Sequence, residues 1–342
     1  MKAFYLVKNG KSEDAFELRD LQLKEPGDDE VMIEVEAFGL NFADVMARLG
    51  YYKACPPLPA VIGYDAAGRI IKKGKNVTDL ETGQKVTALT RFGAYATHVV
   101  TNKSGVVPVT EDTDAATATA LATQYTTAYY AAEFSMNLQK GEHVLIQAAA
   151  GGVGTALTQL IKRKGCIIYG TAGSKEKEKY IKNNGVDFPI NYREQDFFEY
   201  IKSIRGEKSL DAVFDSIGGN YIKKSIKLLA PGGRLVIYGA AQIAGNSSKK
   251  SFLRPIKVLM GFGRYSPVKF FAESQSLIGV NMLKTGDFKP EILKKCMTDV
   301  VNLYNNGEIK PHISRVFKAT ELSEAHNYLQ KRQSVGKIVV KW

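Results

Sequence analysis

From His143 the chain reads HVLIQAAAGGVGTALTQLIKRK: an unbroken apolar run, a turn of small residues, and an amphipathic helix. An apolar run without alternation is what a parallel strand covered on both faces requires. A glycine turn opening directly into a helix presents the helix's first amides, and the positive end of its dipole, to an anion such as a phosphate. The spacing follows the G-x-G-x-x-G fingerprint as Ala149-x-Gly151-x-x-Gly154, with Gly152 and Val153 between and Ala149 in place of the first glycine. Further strand-like runs follow at CIIYGTA (Cys166–Ala172), VDFPI (Val186–Ile190), DAVFDSI (Asp211–Ile217), RLVIYGA (Arg234–Ala240) and SLIGVNM (Ser276–Met282). Helical stretches separate the earlier ones, and Pro231-Gly232-Gly233 is read as the turn into the fifth. Six strands with intervening helices predict an α/β fold. Its centre is a doubly wound parallel sheet of the dinucleotide-binding (Rossmann) kind, expected over residues 124–286.

The flanking segments, 1–123 and 287–342, have a different character. VMIEVEA alternates apolar and polar residues, as a half-buried strand does, and Gly63, Gly68, Gly74 and Gly83 mark turns among further short strands. Asp114 is placed to cap an alanine-rich helix that leads into the sheet domain. After Met282 the pattern is helix, strand, helix and a final strand, GKIVVKW. The chain therefore reads as an irregular β-rich domain into which the nucleotide domain is inserted.

Composition narrows the setting. Three cysteines, Cys55, Cys166 and Cys296, stand far apart with no CxxC pair, so a disulfide framework is not expected and a cytoplasmic location is. The formal net charge of +12 favours anionic partners, but no compact basic run interleaved with aromatics argues for nucleic acid. The four histidines, His98, His143, His312 and His326, show no metal-ligand spacing, so no metal is expected, and His98 and His143 are read as structural.

The identity of the phosphate's owner rests on an acid that is missing. In an NAD site an Asp or Glu about 20 residues past the glycine loop bonds the ribose 2′-hydroxyl. Here the second strand ends in Gly173 and Ser174, and Lys175, Lys177 and Lys179 follow; Glu176 and Glu178 belong to the next helix. A hydroxyl and ammonium groups suit a 2′-phosphate, which an acid would repel. Tyr192 and Arg193 after the third strand stand where they would close the same pocket. The bland reading of the lysines is a solvated helix face. NADPH is the expected cofactor.

GLNFADVMARLGYY, GYDAAGRIIKKGKNV, AAAGGVG, INYRE and VGKIVV, in this order over nearly the whole chain, resemble the medium-chain dehydrogenase/reductase superfamily. LNFADVMAR, PPLPAVIGYDAAG, YTTAY and NNGEIKPHI are most similar to its zinc-independent quinone oxidoreductase branch, in particular the vesicle amine transport protein-like members. That resemblance implies a GroES-like substrate domain around the Rossmann domain, a homodimer, and NADPH-dependent reduction of quinones or α,β-unsaturated carbonyls. Zinc-dependent relatives carry a cysteine and a GHE-type motif; this chain has Asn41 and Gly63-Tyr64-Asp65 in those places. Without a Lewis acid, hydride transfer suits acceptors that already delocalise charge.

The resemblance also implies roles. Asn41, Asp44, Tyr52 and Tyr64 would lie at the reacting end, with Tyr51 the alternative to Tyr52. The bland readings are a helix cap for Asn41 and Asp44 and wall packing for the tyrosines. Gln124 and Thr127 would contact the nicotinamide end, or else form a polar helix face. Ala149, Gly151, Gly152, Val153 and Gly154 would hold the pyrophosphate. Gly173, Ser174, Lys177 and Tyr192 would hold the 2′-phosphate, and Gly239 and Ala240 would approach the nicotinamide through their backbone. Gln84 replaces the Asp of a G-D-x-V turn. The segment 242–272 carries Lys249, Lys250, Arg254, Lys257, Arg264 and Lys269, five aromatic or aliphatic residues among Phe252, Leu253, Phe262, Phe270 and Phe271, and no acid. It is read as a lid, a dimer contact, a mobile loop or a membrane-surface segment. The second reading of function is accordingly a nucleotide-binding interaction protein of a vesicle or membrane surface with little turnover.

Overall fold

The computed structural model describes residues 1–245 and 253–342. Lys249, Lys250 and Phe252 of the basic segment lie outside the described residues. The described chain forms two compact units, one of 1–126 and 282–342 and the other of 127–245 and 253–281.

The second unit holds a six-stranded parallel sheet. In chain order its strands are His143–Ile146, Ile167–Ala172, Phe188–Asn191, Leu210–Asp215, Leu229–Ile237 and Ser276–Gly279. In space the third, second, first, fourth, fifth and sixth follow one another. The order reverses between the first and fourth strands, the switch point outside whose carboxyl ends such sheets bind ligands. Val144, Leu145, Ile146, Val213 and Phe214 are fully buried, which is why these strands read as apolar runs rather than alternations. The helices Gly152–Arg163, Lys175–Asn184, Phe197–Arg205 and Asn220–Leu228 cover the sheet.

Two expectations change. The turn expected at Pro231–Gly233 lies inside the single strand Leu229–Ile237, as an irregularity where Leu210 pairs Leu229 but Ala212 pairs Arg234. Gly232 takes φ +83° there, which a glycine accommodates without strain. The last strand ends at Gly279, and Met282–Phe288 is helical.

In the first unit a seven-stranded sheet is built around Glu30–Leu40, which pairs with Asp65–Lys73, Lys337–Lys341 and His98–Asn102. A three-stranded sheet of Phe16–Asp20, Lys2–Leu6 and Ala60–Val61 flanks it. Leu6, Ile33, Phe38, Leu40, Ile62, Tyr95, Phe317 and Val340 form its core. The C-terminal strand Lys337–Lys341 inserts beside Glu30–Leu40, with Val339 opposite Gly39. That pairing brings Lys337 into the interior. The alanine-rich helix begins as expected, Asp114 accepting from the Thr117 amide at 2.9 Å.

Candidate functional site

In the second unit, the loop after the first strand turns at Ala148, whose φ of +53° is rare for a residue with a side chain. The turn is tied to the second strand: the Ala148 amide donates to Thr171 Oγ1 at 3.0 Å and the Ala149 amide to the Thr171 carbonyl at 2.9 Å. Gly151 is the N-cap of the helix Gly152–Arg163, and no side chain caps it. The first-turn amides, among them those of Gly152, Val153 and Gly154, have no partner within the helix and point toward the carboxyl ends of the strands. A Cβ on Gly154 would stand 2.4 Å from the Ala148 carbonyl oxygen, so only glycine lets the helix seat this closely. The departure at Ala149 has a physical reason. Its methyl lies over Gly170 of the second strand, where an added Cβ would come within 3.0 Å of it. The space is shared, and here the methyl sits on the loop side.

At the tip of the second strand, Ser174 caps the helix Lys175–Asn184, its Oγ accepting from the Lys177 amide at 3.3 Å. Tyr192 folds across the same place. A Cβ on Gly173 would meet the Tyr192 hydroxyl at 2.4 Å. The structure thus brings Gly173, Ser174, Lys177 and Tyr192 together. It also brings Glu176, whose carboxyl is held below its ordinary range by the Ser174 hydroxyl. Glu176 stands in the first turn of the helix that Ser174 caps. At the fifth strand's end, Gly239 lies against Ser216, and the Ala241 amide donates to the Ser216 carbonyl at 2.9 Å. Gly239 and Ala240 therefore border the fourth strand. There the buried Asp215 accepts from the amides of Ile217 and Gly218 at 2.7 Å each, and burial raises its carboxyl to about 6. These residues fit a dinucleotide: free amides at a helix start, and a backbone stripped of side chains at the ends of three strands. Gly173, Ser174, Lys177 and Tyr192 form one end of the set, Gly239 and Ala240 the other.

In the first unit Asn41 and Asp44 do cap the helix Phe42–Arg48, the Asn41 amide donating to Asp44 Oδ2 at 2.8 Å. Both residues do more than cap. The Asn41 side chain donates through Nδ2 to Asp65 Oδ1 and accepts through Oδ1 from Lys337 Nζ at 3.1 Å. Asp65 also accepts from Thr123 Oγ1 at 2.6 Å and pairs with Lys337, and neither member of this ion pair is exposed at all. Gly39 makes room for the pair, since a Cβ there would meet Asp65 Oδ2 at 1.9 Å and Lys337 Cε at 2.2 Å. Asp44 is fully buried, and burial pushes its carboxyl up to about 8 despite the Asn41 amide. Tyr95 faces Asp44 and hydrogen-bonds His326 Nε2 at 3.1 Å.

Tyr64 is buried and meets the half-buried Tyr52 ring edge-on, centroids 6.2 Å apart, and Phe92 at 5.1 Å. Burial raises both tyrosine hydroxyls, and nearby Asp44 adds to it, so both keep their protons as donors. Asn41, Asp44, Tyr52 and Tyr64 therefore belong to one neighbourhood. Gln124 sits in a turn of the helix, Leu121–Tyr125, that widens to π geometry, a distortion often found at functional sites. Thr127 follows it in the second unit, so the pair straddles the unit boundary. Among the described residues, no three His, Cys, Asp or Glu side chains are grouped to hold a metal ion. His98 bonds Thr97 Oγ1 and His143 bonds the Tyr169 hydroxyl, structural roles both.

Lys337, Thr123, Tyr95 and His326 escaped the sequence reading, because their partners are far off in the chain. The one available signal was a lysine in an otherwise apolar terminal strand, GKIVV.

Residues 27–111 match the alcohol dehydrogenase GroES-like domain, and residues 184–340 the zinc-binding dehydrogenase family. The human synaptic vesicle membrane protein VAT-1 homolog is 34% identical over 322 residues, 92% of this chain and 79% of its own length. This chain belongs to the medium-chain dehydrogenase/reductase superfamily, among the VAT-1 and quinone oxidoreductase homologues. The Escherichia coli quinone oxidoreductase complexed with NADPH superposes with a TM-score of 0.85 at 25% identity, covering 100% of both chains. The CurK enoyl reductase does so with a TM-score of 0.84 at 28% identity, over 99% of this chain and 98% of that one. Both match the α/β architecture of a parallel Rossmann sheet and a separate GroES-like sheet. No helix among the described residues is long and apolar enough to cross a membrane.

Proposed function

We propose that this protein is an NADPH-dependent reductase of quinones or α,β-unsaturated carbonyls that works without zinc. The observation that carries the reading is the state of Asn41. Its amide is engaged on both sides, by Asp65 and by Lys337, so the positive charge in this neighbourhood is a protein ammonium with its own carboxylate. With Asn41 held in this way, the set suits acceptors that need no Lewis acid. NADPH, when bound, supplies the hydride from its nicotinamide. The pyrophosphate would be held by the amides around Gly151, Gly152, Val153 and Gly154. The 2′-phosphate would be held by Ser174, Lys177 and Tyr192, with Gly239 and Ala240 bordering the nicotinamide and Gln124 and Thr127 orienting it.

The chain's own work at the acceptor is donation. Hydride addition to a conjugated carbonyl leaves an oxyanion, which fixed hydrogen-bond donors stabilise. Tyr52 is the half-buried donor, and Tyr64 behind it holds its ring; both stay protonated. The E. coli quinone oxidoreductase and the CurK enoyl reductase support this substrate class by the chemistry in their names.

Two measurements test the reading. NADPH oxidation is followed with a panel of an ortho-quinone, a para-quinone and an enone; absence of turnover with all three defeats it. Cofactor choice is read by fluorescence titration. Replacing Ser174 by Ala and Lys177 by Glu together removes two polar contacts, each worth about 1.5–3 kcal/mol when charge-assisted. NADPH then weakens at least tenfold while NADH does not. Equal losses for both cofactors refute the 2′-phosphate assignment and leave the Ser174–Glu176 contact as a ribose site instead.

A further inference from the structure

The helix Phe42–Arg48, which starts at Asn41 and Asp44, ends in a charge that the fold takes out of water. Arg48 is fully buried. Its guanidinium donates through Nη1 to the Gly10 carbonyl and through Nη2 to Gln330 Oε1, and its Nε has no partner. Both acceptors are neutral, and among the described residues no carboxylate pairs with Arg48. Asp44 stands one helical turn earlier, but it accepts from the Asn41 amide and burial keeps it protonated up to about 8. Glu13, the acid whose field reaches Arg48, is exposed and accepts from Asn327 Nδ2 at 2.6 Å. A guanidinium held in the interior without a counter-charge is strongly disfavoured.

The groups around that charge are donors with nothing to donate to. Gln330 is buried, its Oε1 is used by Arg48, and its Nε2 has no partner. Because Arg48 Nη2 and Gln330 Oε1 are bonded, the free Nε and Nε2 each lie next to that contact, near enough to share one acceptor. His326 precedes Gln330 by one turn on the helix Leu322–Gln330, on the same face. It is fully buried; its Nε2 meets the Tyr95 hydroxyl at 3.1 Å and its Nδ1 has no partner. Burial and the Arg48 charge hold the imidazole well below its ordinary range, so it is neutral. With the Tyr95 hydroxyl donating to Nε2, the proton sits on Nδ1 and makes a third donor.

Three donors beside one uncompensated positive charge suit an anion. A water would accept the hydrogen bonds and leave the charge standing. A phosphate or sulfate would bring more charge than one guanidinium balances, and more bulk than side chains with almost no exposed surface admit. We infer that Arg48, His326 and Gln330 enclose a site for one small monovalent anion of the halide class, the counter-ion of the buried guanidinium. The anion ties the Gly10 turn and the helix Leu322–Gln330 to the helix that carries Asn41 and Asp44. The site stands apart from the reductase reading and would exist whatever the acceptor.

The test uses the full chain exchanged into sodium gluconate and titrated with sodium chloride at constant ionic strength. The urea midpoint is read from Trp342 emission in the first unit. A ligand held only by the folded state raises the folding constant in proportion to its concentration above Kd, so each tenfold rise in chloride multiplies that constant about tenfold. Gln330→Glu sets a carboxylate against Arg48; its midpoint in gluconate equals or exceeds that of the wild type, and its chloride response is gone. Gln330→Leu removes the donor without supplying charge; its midpoint falls and its chloride affinity drops roughly tenfold or more. Crystals grown in bromide show an anomalous peak within hydrogen-bond distance of Arg48 Nε and Gln330 Nε2. Equal wild-type midpoints in gluconate and chloride overturn the inference, as does a Gln330→Glu variant that keeps the full chloride response. So does an ordered water at that place with no anomalous signal.

Discussion

Replacing Lys337 by Met leaves Asp65 buried with only the Asn41 amide and the Thr123 hydroxyl for company. The ion pair has no exposed surface on either side, so solvent cannot replace the lost ammonium. Removing one partner of such a pair typically costs 3–5 kcal/mol, roughly the penalty of an uncompensated buried charge. For a unit of this size that corresponds to a fall in Tm of about 6–20 °C. The assay comes with the molecule. The sole tryptophan, Trp342, stacks on Phe4 in the first unit, ring centroids 5.4 Å apart, and donates through Nε1 to the Ala96 carbonyl at 3.0 Å. Its emission during urea unfolding therefore reports on that unit and not on the Rossmann sheet. The second arm is the double variant Asp65→Asn with Lys337→Met, which removes both charges and keeps an acceptor and a donor for Asn41 and Thr123. It recovers most of the loss, giving a coupling energy of several kcal/mol in the cycle. A single variant that loses less than about 1 kcal/mol, or a double variant no more stable than the single, refutes the claim that a desolvated charge pair organises Asn41.

Three further outcomes are expected. Asp44 binds its proton up to about 8 in the fold against an ordinary 3.8, so its contribution to stability is complete below about pH 4 and is lost as pH rises toward 8. Asp44→Asn should flatten the decline in urea midpoint across that window, where one proton accounts for up to about 1.4 kcal/mol per pH unit; an unchanged slope counts against a neutral Asp44. Gly154→Ala forces a methyl against the Ala148 carbonyl and should lower NADPH affinity at least tenfold at a stability cost of about 1–3 kcal/mol, measured by titration and by thermal unfolding. Tyr52→Phe removes the half-buried donor and should lower kcat with a quinone by roughly 10²–10³ if its hydroxyl steadies the oxyanion, while leaving NADPH affinity unchanged; a loss in KM alone would reduce it to a packing residue.

Much of the nucleotide sheet was legible because its determinants are local. A doubly covered strand must be apolar throughout, and HVLI, IIYGTA and AVFD each announce it within a few residues. Gly151 and Gly154 are equally local, since a turn and the helix that follows it are neighbours in sequence. The irregularity at Pro231–Gly233 looks like a turn in sequence because Pro-Gly-Gly is the composition of both, and only the register of the neighbouring strand tells them apart. The buried network of the first unit was illegible for the opposite reason. Lys337 reaches Asn41 across 296 positions of sequence, and Tyr95 reaches His326 across 231. No periodicity carries such pairings; they follow from which strand the C-terminus lies beside. The exposure of Leu253 and Met260 on the helix Leu253–Phe262, and of Phe271 on Pro267–Glu273, was likewise open, because a helix that turns its apolar side outward has the same spacing as one that turns it in.

The contact between Ala149 and Gly170 bears on how the glycine fingerprint is to be understood. A fingerprint written as three fixed letters treats each position as answering for itself. Here the positions answer jointly: the loop holds the one methyl, and a Cβ on Gly170 would stand 3.0 Å from the Ala149 Cβ and 2.9 Å from Val186 Cγ2. An alanine at position 170 would press on both Ala149 and Val186 and push the layers apart, so the glycine of the strand is what lets the loop carry an alanine. A dinucleotide loop that scores poorly against the motif is better judged together with the residue facing it than by its own letter.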